Sequence, residues 1–200
     1  NPLKASGKLE SGIYNLPGNV SSQFITGLLL ALPILDGDSE IRISGVLESA
    51  PYVDITRDVQ SKFSVTSKFE NNTFYIKGNQ KYISPGEFTV EGDWSNAAFW
   101  FSANELSENE VLCTGVDFAS AQGDKEIVNI LKNLPCKVDA KNIPDLIPIV
   151  CAVAALKEGT TTIFGAERLA IKESNRLVAI CDTLKTLGAD ITAADNPDSA

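Results

Sequence analysis

Hydrophobic and polar positions along the chain follow two periods, one typical of strands and one typical of helices. Three short β-rich runs each end at a glycine (Gly45, Gly115 and Gly165), and a polar residue nine positions later opens a predicted helix. Another helical stretch precedes each run. The pattern therefore predicts a helix–strand–helix unit, and repeats of this length indicate one architecture used several times.

Six stretches have the apolar spacing of helices. The predicted helices cover residues 21–35, 53–63, 95–106, 124–134, 145–157 and 173–187. The first of them is apolar on most of its faces, so we expect it to be deeply buried.

Shorter runs predict the strands, which cover residues 8–16, 41–45, 88–91, 111–114 and 160–164, with a short strand near Asp190. Residues 65–69 and 73–77 flank Asn71 and Asn72 and predict a β-hairpin. Alternating strands and helices favour parallel pairing, and the hairpin adds antiparallel pairs. The sequence thus predicts an α/β fold with mixed sheets and buried helices, and Gly92 marks a domain boundary between residues 1–91 and 92–200.

Composition narrows the classes of function. The net charge of −9 argues against a nucleic-acid binder that relies on a broad basic surface, although a local cluster of Lys and Arg could still bind a small anion. No apolar run is as long as a membrane span, and the N-terminal residues do not resemble a signal peptide. Because the sequence has no initial Met, we expect it to be an excised piece of a longer protein.

The titratable side chains limit which catalytic groups and metal sites the chain can form. The sequence contains no histidine, which excludes a Ser-His-Asp triad and a histidine metal site, so Lys, Arg, Asp and Glu must supply any acid–base chemistry. Four cysteines form no C-x-x-C pair, and Cys113, Cys151 and Cys181 lie in apolar runs. We therefore predict buried thiols in a reducing compartment.

The first candidate residues lie where turns lead into predicted helices. Residues 17–23 combine a Gly-containing turn with Ser21 and Ser22 at a helix start, where free backbone N–H groups and the helix dipole favour a phosphate. Taken alone they favour a plain N-cap, because Ser is a common capping residue. Ser49 and Tyr52 also lie close to a helix start, where the alternative is an ordinary X-Pro turn.

The second group of candidates is charged. Asp145 opens a predicted apolar helix, either as a plain N-cap or as a carboxylate that orients a substrate hydroxyl or takes its proton. Lys172 and Arg176 are predicted to project to one side of a helix start with Glu173 between them, which suits an anionic substrate and a proton transfer. The alternative is a solvated face with intrahelical ion pairs. A strand-to-helix connection is, however, a favoured place for ligands in α/β folds.

Six segments, in this order and at this spacing, resemble one family, 5-enolpyruvylshikimate-3-phosphate synthase of the shikimate pathway. They are Gly18-Asn-Val-Ser-Ser-Gln-Phe, Ser49-Ala-Pro-Tyr-Val-Asp-Ile-Thr, Val90-Glu-Gly-Asp, Gln122-Gly-Asp, Ile143-Pro-Asp and Ile171-Lys-Glu-Ser-Asn-Arg-Leu. The resemblance implies an inverse α/β barrel of two domains, each built from three βαβαββ units. On this basis residues 1–91 are the last unit of the first domain, and residues 92–200 are the first unit and part of the second unit of the second domain.

The resemblance also implies a reaction, the transfer of the enolpyruvyl group of phosphoenolpyruvate to the 5-hydroxyl of shikimate 3-phosphate. Ser21, Ser22, Gln23, Ser49 and Tyr52 look like contacts to shikimate 3-phosphate. No metal or organic cofactor is implied, and we expect a cytoplasmic enzyme that is a monomer at full length, with no nucleic-acid or membrane partner.

The charged residues look like the catalytic groups of that family. Asp145 would bind the ring hydroxyls and help to deprotonate the nucleophile, and Lys172 would bridge both substrates. Glu173 is the candidate for proton transfer to the methylene carbon, and Arg176 for holding phosphoenolpyruvate. Together these residues would stabilise crowded anions with positioned cations.

The sequence also departs from the family pattern. Ala170 stands where the family usually has a basic residue, basic residues upstream and downstream have no counterpart, and a hairpin is missing after Leu134. We therefore expect the chain alone to be inactive. Two alternatives stay open: an enolpyruvyl transferase that acts on a UDP-sugar, and a non-catalytic binding or structural module on the same scaffold.

Overall fold

Two hydrophobic cores organise the structure, a computed structural model that describes residues 3–108, 110–172 and 174–194. The chain divides between Phe88 and Thr89 into two units, and each unit contains one of these cores. The assignment of the units to domains of a larger enzyme stays a prediction.

The first unit follows the order β–α–β–α–β–β. Its elements are β1 (Ile13–Pro17), α1 (Ser22–Ala31), a 3-10 turn (Leu32–Ile34), β2 (Ser39–Ser44), α2 (Ala50–Lys62), β3 (Ser67–Glu70) and β4 (Thr73–Ile76). The strands form one mixed sheet in the order β1-β2-β4-β3, in which β1 and β2 are parallel and the other neighbouring pairs are antiparallel. The predicted mixed sheet is confirmed here.

Strands β3 and β4 form the predicted hairpin. Asn71 and Asn72 occupy its turn with φ angles of 49° and 54°. Asparagine tolerates this left-handed region better than most side chains, which is why such a pair is typical of two-residue hairpin turns. Strand β1 is shorter than predicted and begins at Ile13, which pairs with Glu40 near the start of β2.

The prediction that the first helix is deeply buried is wrong. Ile25 and Leu29 are fully buried, but Phe24 and Leu30 are 58% and 51% exposed. Within this unit α1 packs against the sheet and α2, so only the side that faces them is covered.

The second unit is mostly helical. Its elements are α3 (Trp94–Leu106), a 3-10 turn (Gly123–Glu126), α4 (Ile127–Asn133), β5 (Lys137–Asp139), α5 (Ile147–Ala154), β6 (Thr162–Phe164), a second 3-10 turn (Glu167–Ile171) and α6 (Arg176–Thr186). Strands β5 and β6 form a two-stranded parallel sheet. The core gathers around α5, where Ile147 and Val150 are buried with Trp94 of α3 and Leu169 of the second 3-10 turn.

The strands predicted at residues 88–91 and 111–114 are not formed. Just after the two segments, Gly92 N donates a backbone hydrogen bond to Gly115 O at 2.7 Å. Val90 and Leu112 are 80% and 81% exposed, so their ordering gains little burial free energy to offset the lost backbone entropy. The strand expected near Asp190 is not formed either, whereas β5 was not predicted.

Two predicted helix starts next to candidate residues are also wrong. Helix α5 begins at Ile147 rather than at Asp145, since Pro148 is tolerated in a first turn but not deeper in a helix. Helix α6 begins at Arg176 rather than at residue 173, because the Asn175 side chain caps it by accepting a hydrogen bond from Val178 N at 3.2 Å.

The cysteines are free thiols, but their burial differs from the prediction. Cys151 on α5 is buried, whereas Cys113 and Cys181 are partly exposed. Burial, and to a lesser degree the neighbouring Cys181, raises the pKa of the Cys151 thiol to about 11. Cys151 is therefore a structural residue of the core.

Candidate functional site

The parallel pairing of β1 and β2 brings two helix starts to one edge of the first unit. Each strand leads through a short turn into a helix, β1 into α1 and β2 into α2. Since the carboxyl ends of parallel strands lie at the same edge of a sheet, the amino ends of α1 and α2 lie there too. Free backbone N–H groups and the positive ends of two helix dipoles are thus available at one place.

The two turns that lead into these helices are joined at Gly18. Gly18 N donates to Ser44 O at 2.9 Å, and Gly18 O accepts from Glu48 N at 3.1 Å. A Cβ atom at position 18 would lie only 2.3 Å from Val46 O, so only glycine allows this close approach. The segments 18–23 and 44–49 are therefore held side by side.

The candidate residues of the first unit occupy these helix starts. Ser21 is the N-cap of α1 and its Oγ accepts from Gln23 N at 3.2 Å, while Ser22 is buried and the Gln23 side chain is exposed. Ser49 is buried at the start of α2 with a left-handed φ of 56°, and Tyr52 is half-buried one turn further on. A left-handed serine is uncommon and strained, and such conformations cluster at functional sites.

The second unit brings Asp145 and Arg176 together. Asp145 lies in the turn before α5, and Arg176 is the first residue of α6. Arg176 Nη1 donates to Asp145 Oδ1 at 2.5 Å, and both side chains are partly exposed. This ion pair places a carboxylate and a guanidinium at one point of the surface, where they can reach a ligand.

Lys172 precedes this ion pair but does not lie on a helix. Its backbone is extended (φ −75°, ψ −167°) after the second 3-10 turn, so the prediction that Lys172 and Arg176 share one side of a helix is wrong. Among the described residues, none forms a hydrogen bond or ion pair with the half-buried Lys172 ammonium group. Glu173, the predicted proton-transfer residue, lies outside the described residues.

Two of the segments that carried the resemblance are tied together by Gln122. Its Oε1 accepts from Trp94 N at 2.8 Å, and its Nε2 donates to Gly92 O at 2.9 Å. The neighbouring Asp124 is buried, and its Oδ2 accepts from Ser95 Oγ at 2.5 Å. Periodicity predicts Asp124 only as a helix start, although its place in the segment Gln122-Gly-Asp is a signal that it does more.

A protein-family model described as EPSP synthase (3-phosphoshikimate 1-carboxyvinyltransferase) matches residues 1–142 and 135–198. The chain belongs to the EPSP synthase family. The family assignment made from six short segments is therefore confirmed.

Relatives of this EPSP synthase family chain include the 3-phosphoshikimate 1-carboxyvinyltransferase of Clostridium acetobutylicum, which is 45% identical over 98% of the chain and 49% of the relative. The protein of the same name from Clostridium perfringens is 45% identical over 94% of the chain and 49% of its own length. The chain thus spans about half the length of the curated relatives that it matches.

A solved EPSP synthase from Acinetobacter baumannii has the same fold, with a TM-score of 0.75 and 23% sequence identity over 94% of this chain and 48% of that one. The predicted fold class, an incomplete inverse α/β barrel, is confirmed by this similarity.

Neither a metal site nor a membrane span is found in the part of this EPSP synthase family chain that the structure describes. Residues 3–108, 110–172 and 174–194 contain no group of three His, Cys, Asp or Glu side chains that could hold a metal ion. None of the helices within these ranges is long and apolar enough to cross a membrane.

Proposed function

We propose that the protein to which this chain belongs transfers the enolpyruvyl group of phosphoenolpyruvate to the 5-hydroxyl of shikimate 3-phosphate. The hydroxyl oxygen attacks C2 of phosphoenolpyruvate while a proton is added at the methylene carbon, which gives a tetrahedral intermediate. Loss of a proton from the same carbon and of phosphate from C2 then gives the enolpyruvyl ether and inorganic phosphate.

The first unit is the proposed site for shikimate 3-phosphate. Ser21, Ser22 and Gln23 supply hydroxyl, amide and backbone donors at the start of α1, and Ser49 and Tyr52 do so at the start of α2. A helix N-terminus favours a phosphate group because its N–H groups and its dipole point toward the ligand. Two such helix ends at one edge favour a phosphorylated over an unphosphorylated acceptor.

The second unit is the proposed source of the reacting groups. Asp145 accepts the proton of the 5-hydroxyl, Lys172 lies between the two anionic substrates, and Arg176 binds phosphoenolpyruvate. Glu173, as the resemblance implies, exchanges the proton of the methylene carbon. Preorganised cations and dipoles of this kind lower the reaction barrier most where negative charge develops in the transition state. Holding the two substrates in the reactive orientation lowers it further.

The observation that supports this proposal most directly is the Asp145–Arg176 ion pair of 2.5 Å. The two residues are 31 positions apart in sequence and lie on different elements, so the fold brings them together rather than helix periodicity. An intrahelical ion pair on a solvated face, the alternative considered from the sequence, does not describe this arrangement.

Further properties follow from the same proposal. We assign residues 1–91 to the first domain and residues 92–200 to the second domain of the whole enzyme, and we expect that enzyme to be a cytoplasmic monomer without a cofactor. Because each proposed half-site is incomplete relative to relatives twice as long, the 200-residue chain alone is expected to be inactive.

The test is phosphate release from phosphoenolpyruvate and shikimate 3-phosphate by the intact protein that contains this chain. Lys172→Ala is expected to lower kcat/KM by about a hundredfold or more, the effect typical of removing one group that stabilises transition-state charge. Lys185→Ala removes the same side chain from an exposed position late in α6 and is expected to change the rate by less than about threefold. The isolated 200-residue chain is assayed beside them and is expected to release no phosphate above background.

Three results would contradict the proposal. Equal rates for the two lysine variants would remove Lys172 from the site. A UDP-sugar accepted in place of shikimate 3-phosphate would indicate the related transferase. An intact protein that binds shikimate 3-phosphate without turnover would indicate a non-catalytic module.

A further inference from the structure

Asp124 is a buried carboxyl group that the proposed reaction does not use. It lies in the 3-10 turn before α4 and is 3% exposed. Its Oδ2 accepts a hydrogen bond from Ser95 Oγ at 2.5 Å. Its Oδ1 is also buried and has no hydrogen-bond partner among residues 3–108, 110–172 and 174–194.

The acidic groups around Asp124 come from two other elements. Asp93 caps α3, where its Oδ1 accepts from Ser95 N at 2.9 Å. Asp145, in the turn before α5, is close enough for its charge to act on Asp124, and so is Asp93. Ser95 thus joins Asp93 to Asp124, and Asp145 acts on Asp124 through its charge.

Asp145 forms an ion pair with a cation, the Arg176 guanidinium. Arg176 reaches Asp145 Oδ1 at 2.5 Å. Lys125, next to Asp124 in sequence, donates instead to the carbonyl oxygens of Phe118 and Ser120 at 3.2 and 2.6 Å.

Two further acidic groups lie near this turn, and both accept hydrogen bonds elsewhere. Glu126, on the turn itself, accepts from Asn129 Nδ2 at 2.5 Å. Glu91 accepts from Ser120 Oγ at 2.9 Å. Neither supplies Asp124 with a donor.

This arrangement gives different environments to Asp124 and Asp145, the two carboxyl groups that matter for the proposed chemistry. An ionised, buried oxygen without a donor is far more costly than a neutral hydroxyl in the same place. Asp145 has a guanidinium to stabilise its charge, whereas Asp124 has one neutral serine. Two carboxyl groups whose environments differ in this way divide the roles of acid and base between them.

We propose that Asp124 is a positioning residue for Asp145: Asp124 holds a proton as a neutral acid, so that Asp145 remains the ionised member of the pair. With Asp124 neutral, the cluster does not add a further negative charge beside two anionic substrates, and Asp145 is free to accept the hydroxyl proton. The role in catalysis rests on the proposed function, but the protonation state of Asp124 does not.

The electrostatic surroundings of Asp124 act in the same direction as this geometry. Burial is the main cause that raises the pKa of the Asp124 carboxyl, and the charges of Asp145 and Asp93 raise it further, against the opposing hydrogen bond from Ser95. A raised pKa means that the folded chain keeps a proton which the unfolded chain has already released. The free energy of unfolding therefore falls as pH rises from the pKa of Asp124 in the unfolded chain to its higher pKa in the folded chain.

The test is a pH titration of the chain labelled with ¹³C at the aspartate carboxyl carbons, followed by NMR. The resonance of Asp124, assigned by its loss in Asp124→Asn, is expected to titrate at higher pH than free aspartate, whose pKa is about 3.9. The midpoint of the Asp145 resonance is expected to be the same in Asp124→Asn as in the parent chain, because an asparagine replaces a group that was already neutral.

Asp182→Asn is the matched control, since it makes the same change at an exposed position of α6. It is expected to leave the Asp124 resonance unchanged. The urea midpoint of Asp124→Asn minus that of the parent chain is expected to increase as pH rises from 4 to 7. The same difference for Asp182→Asn is expected to stay constant.

Two results would overturn the proposal. One is an Asp124 resonance that titrates at or below the pH of free aspartate. The other is an Asp145 midpoint that moves to lower pH in Asp124→Asn, because this shift would show that Asp124 was charged. Neither measurement depends on turnover, so a failure here is distinct from a failure of the proposed reaction.

Discussion

Single residues set the geometry of the helix starts in the first unit, and Gly18 has the largest such effect. The absence of a side chain there lets two turns approach until Val46 O lies 2.3 Å from where a Cβ would be. The sequence indicated a Gly-containing turn and a serine cap, and both are present. It could not indicate that the second turn would be the neighbour, because that contact joins residues distant in sequence.

Gly18→Ala is expected to lower the free energy of unfolding by about 2 kcal/mol, since the new methyl group overlaps a backbone oxygen that cannot move without breaking the turn. Urea unfolding followed by circular dichroism measures the change. Gly27→Ala is the matched control, because a Cβ at that exposed helical position meets nothing within 4 Å and should stabilise α1 by up to about 1 kcal/mol. Equal effects of the two substitutions would contradict the close approach of Val46 O to position 18.

At the scale of elements, periodicity predicted which segments are helices better than where each helix begins. The helices near residues 21–35, 53–63 and 95–106 are present with ends shifted by a few residues. The sequence predicts a start of α6 that is too early, because the spacing of Lys172 and Arg176 is typical of one helical face. The capping contact of Asn175 decides where the backbone becomes helical, and it leaves Lys172 extended.

Asn175→Ala should therefore destabilise the start of α6 by about 1 kcal/mol, the usual effect of losing an N-cap. Asn175→Ser keeps a capping oxygen and should retain most of the stability. Amide hydrogen exchange at Val178, whose N–H bonds to Asn175, reports the loss locally. Similar protection of Val178 in both variants would contradict the capping role.

At the scale of the whole molecule, each unit exposes apolar side chains that its own core does not cover. Phe24 of α1 and Phe99 and Trp100 of α3 are 58%, 61% and 55% exposed. Where such side chains form a contiguous patch, the patch marks a surface that contacts other protein. The chain spans about half the length of its curated relatives.

The sequence predicted the family and the fold class of the whole molecule, and both are confirmed. Its prediction of strands at 88–91 and 111–114 is wrong, because strand formation depends on partners rather than on the segment itself. The sequence offers the candidate residues as two groups, and the structure links part of each: parallel strands bring the helix starts of the first unit to one edge, and an ion pair joins Asp145 to Arg176 in the second.

The most direct test of the proposed acceptor site is an NMR titration of the ¹⁵N-labelled chain with shikimate 3-phosphate, with shikimate as the matched control. We expect saturable shifts of the backbone amides of Ser21, Ser22 and Tyr52, larger for the phosphorylated ligand, because the two helix starts present donors and dipoles to a phosphate. Equal shifts for both ligands, or no response at these three amides, would contradict the claim that the helix starts of α1 and α2 form the acceptor site.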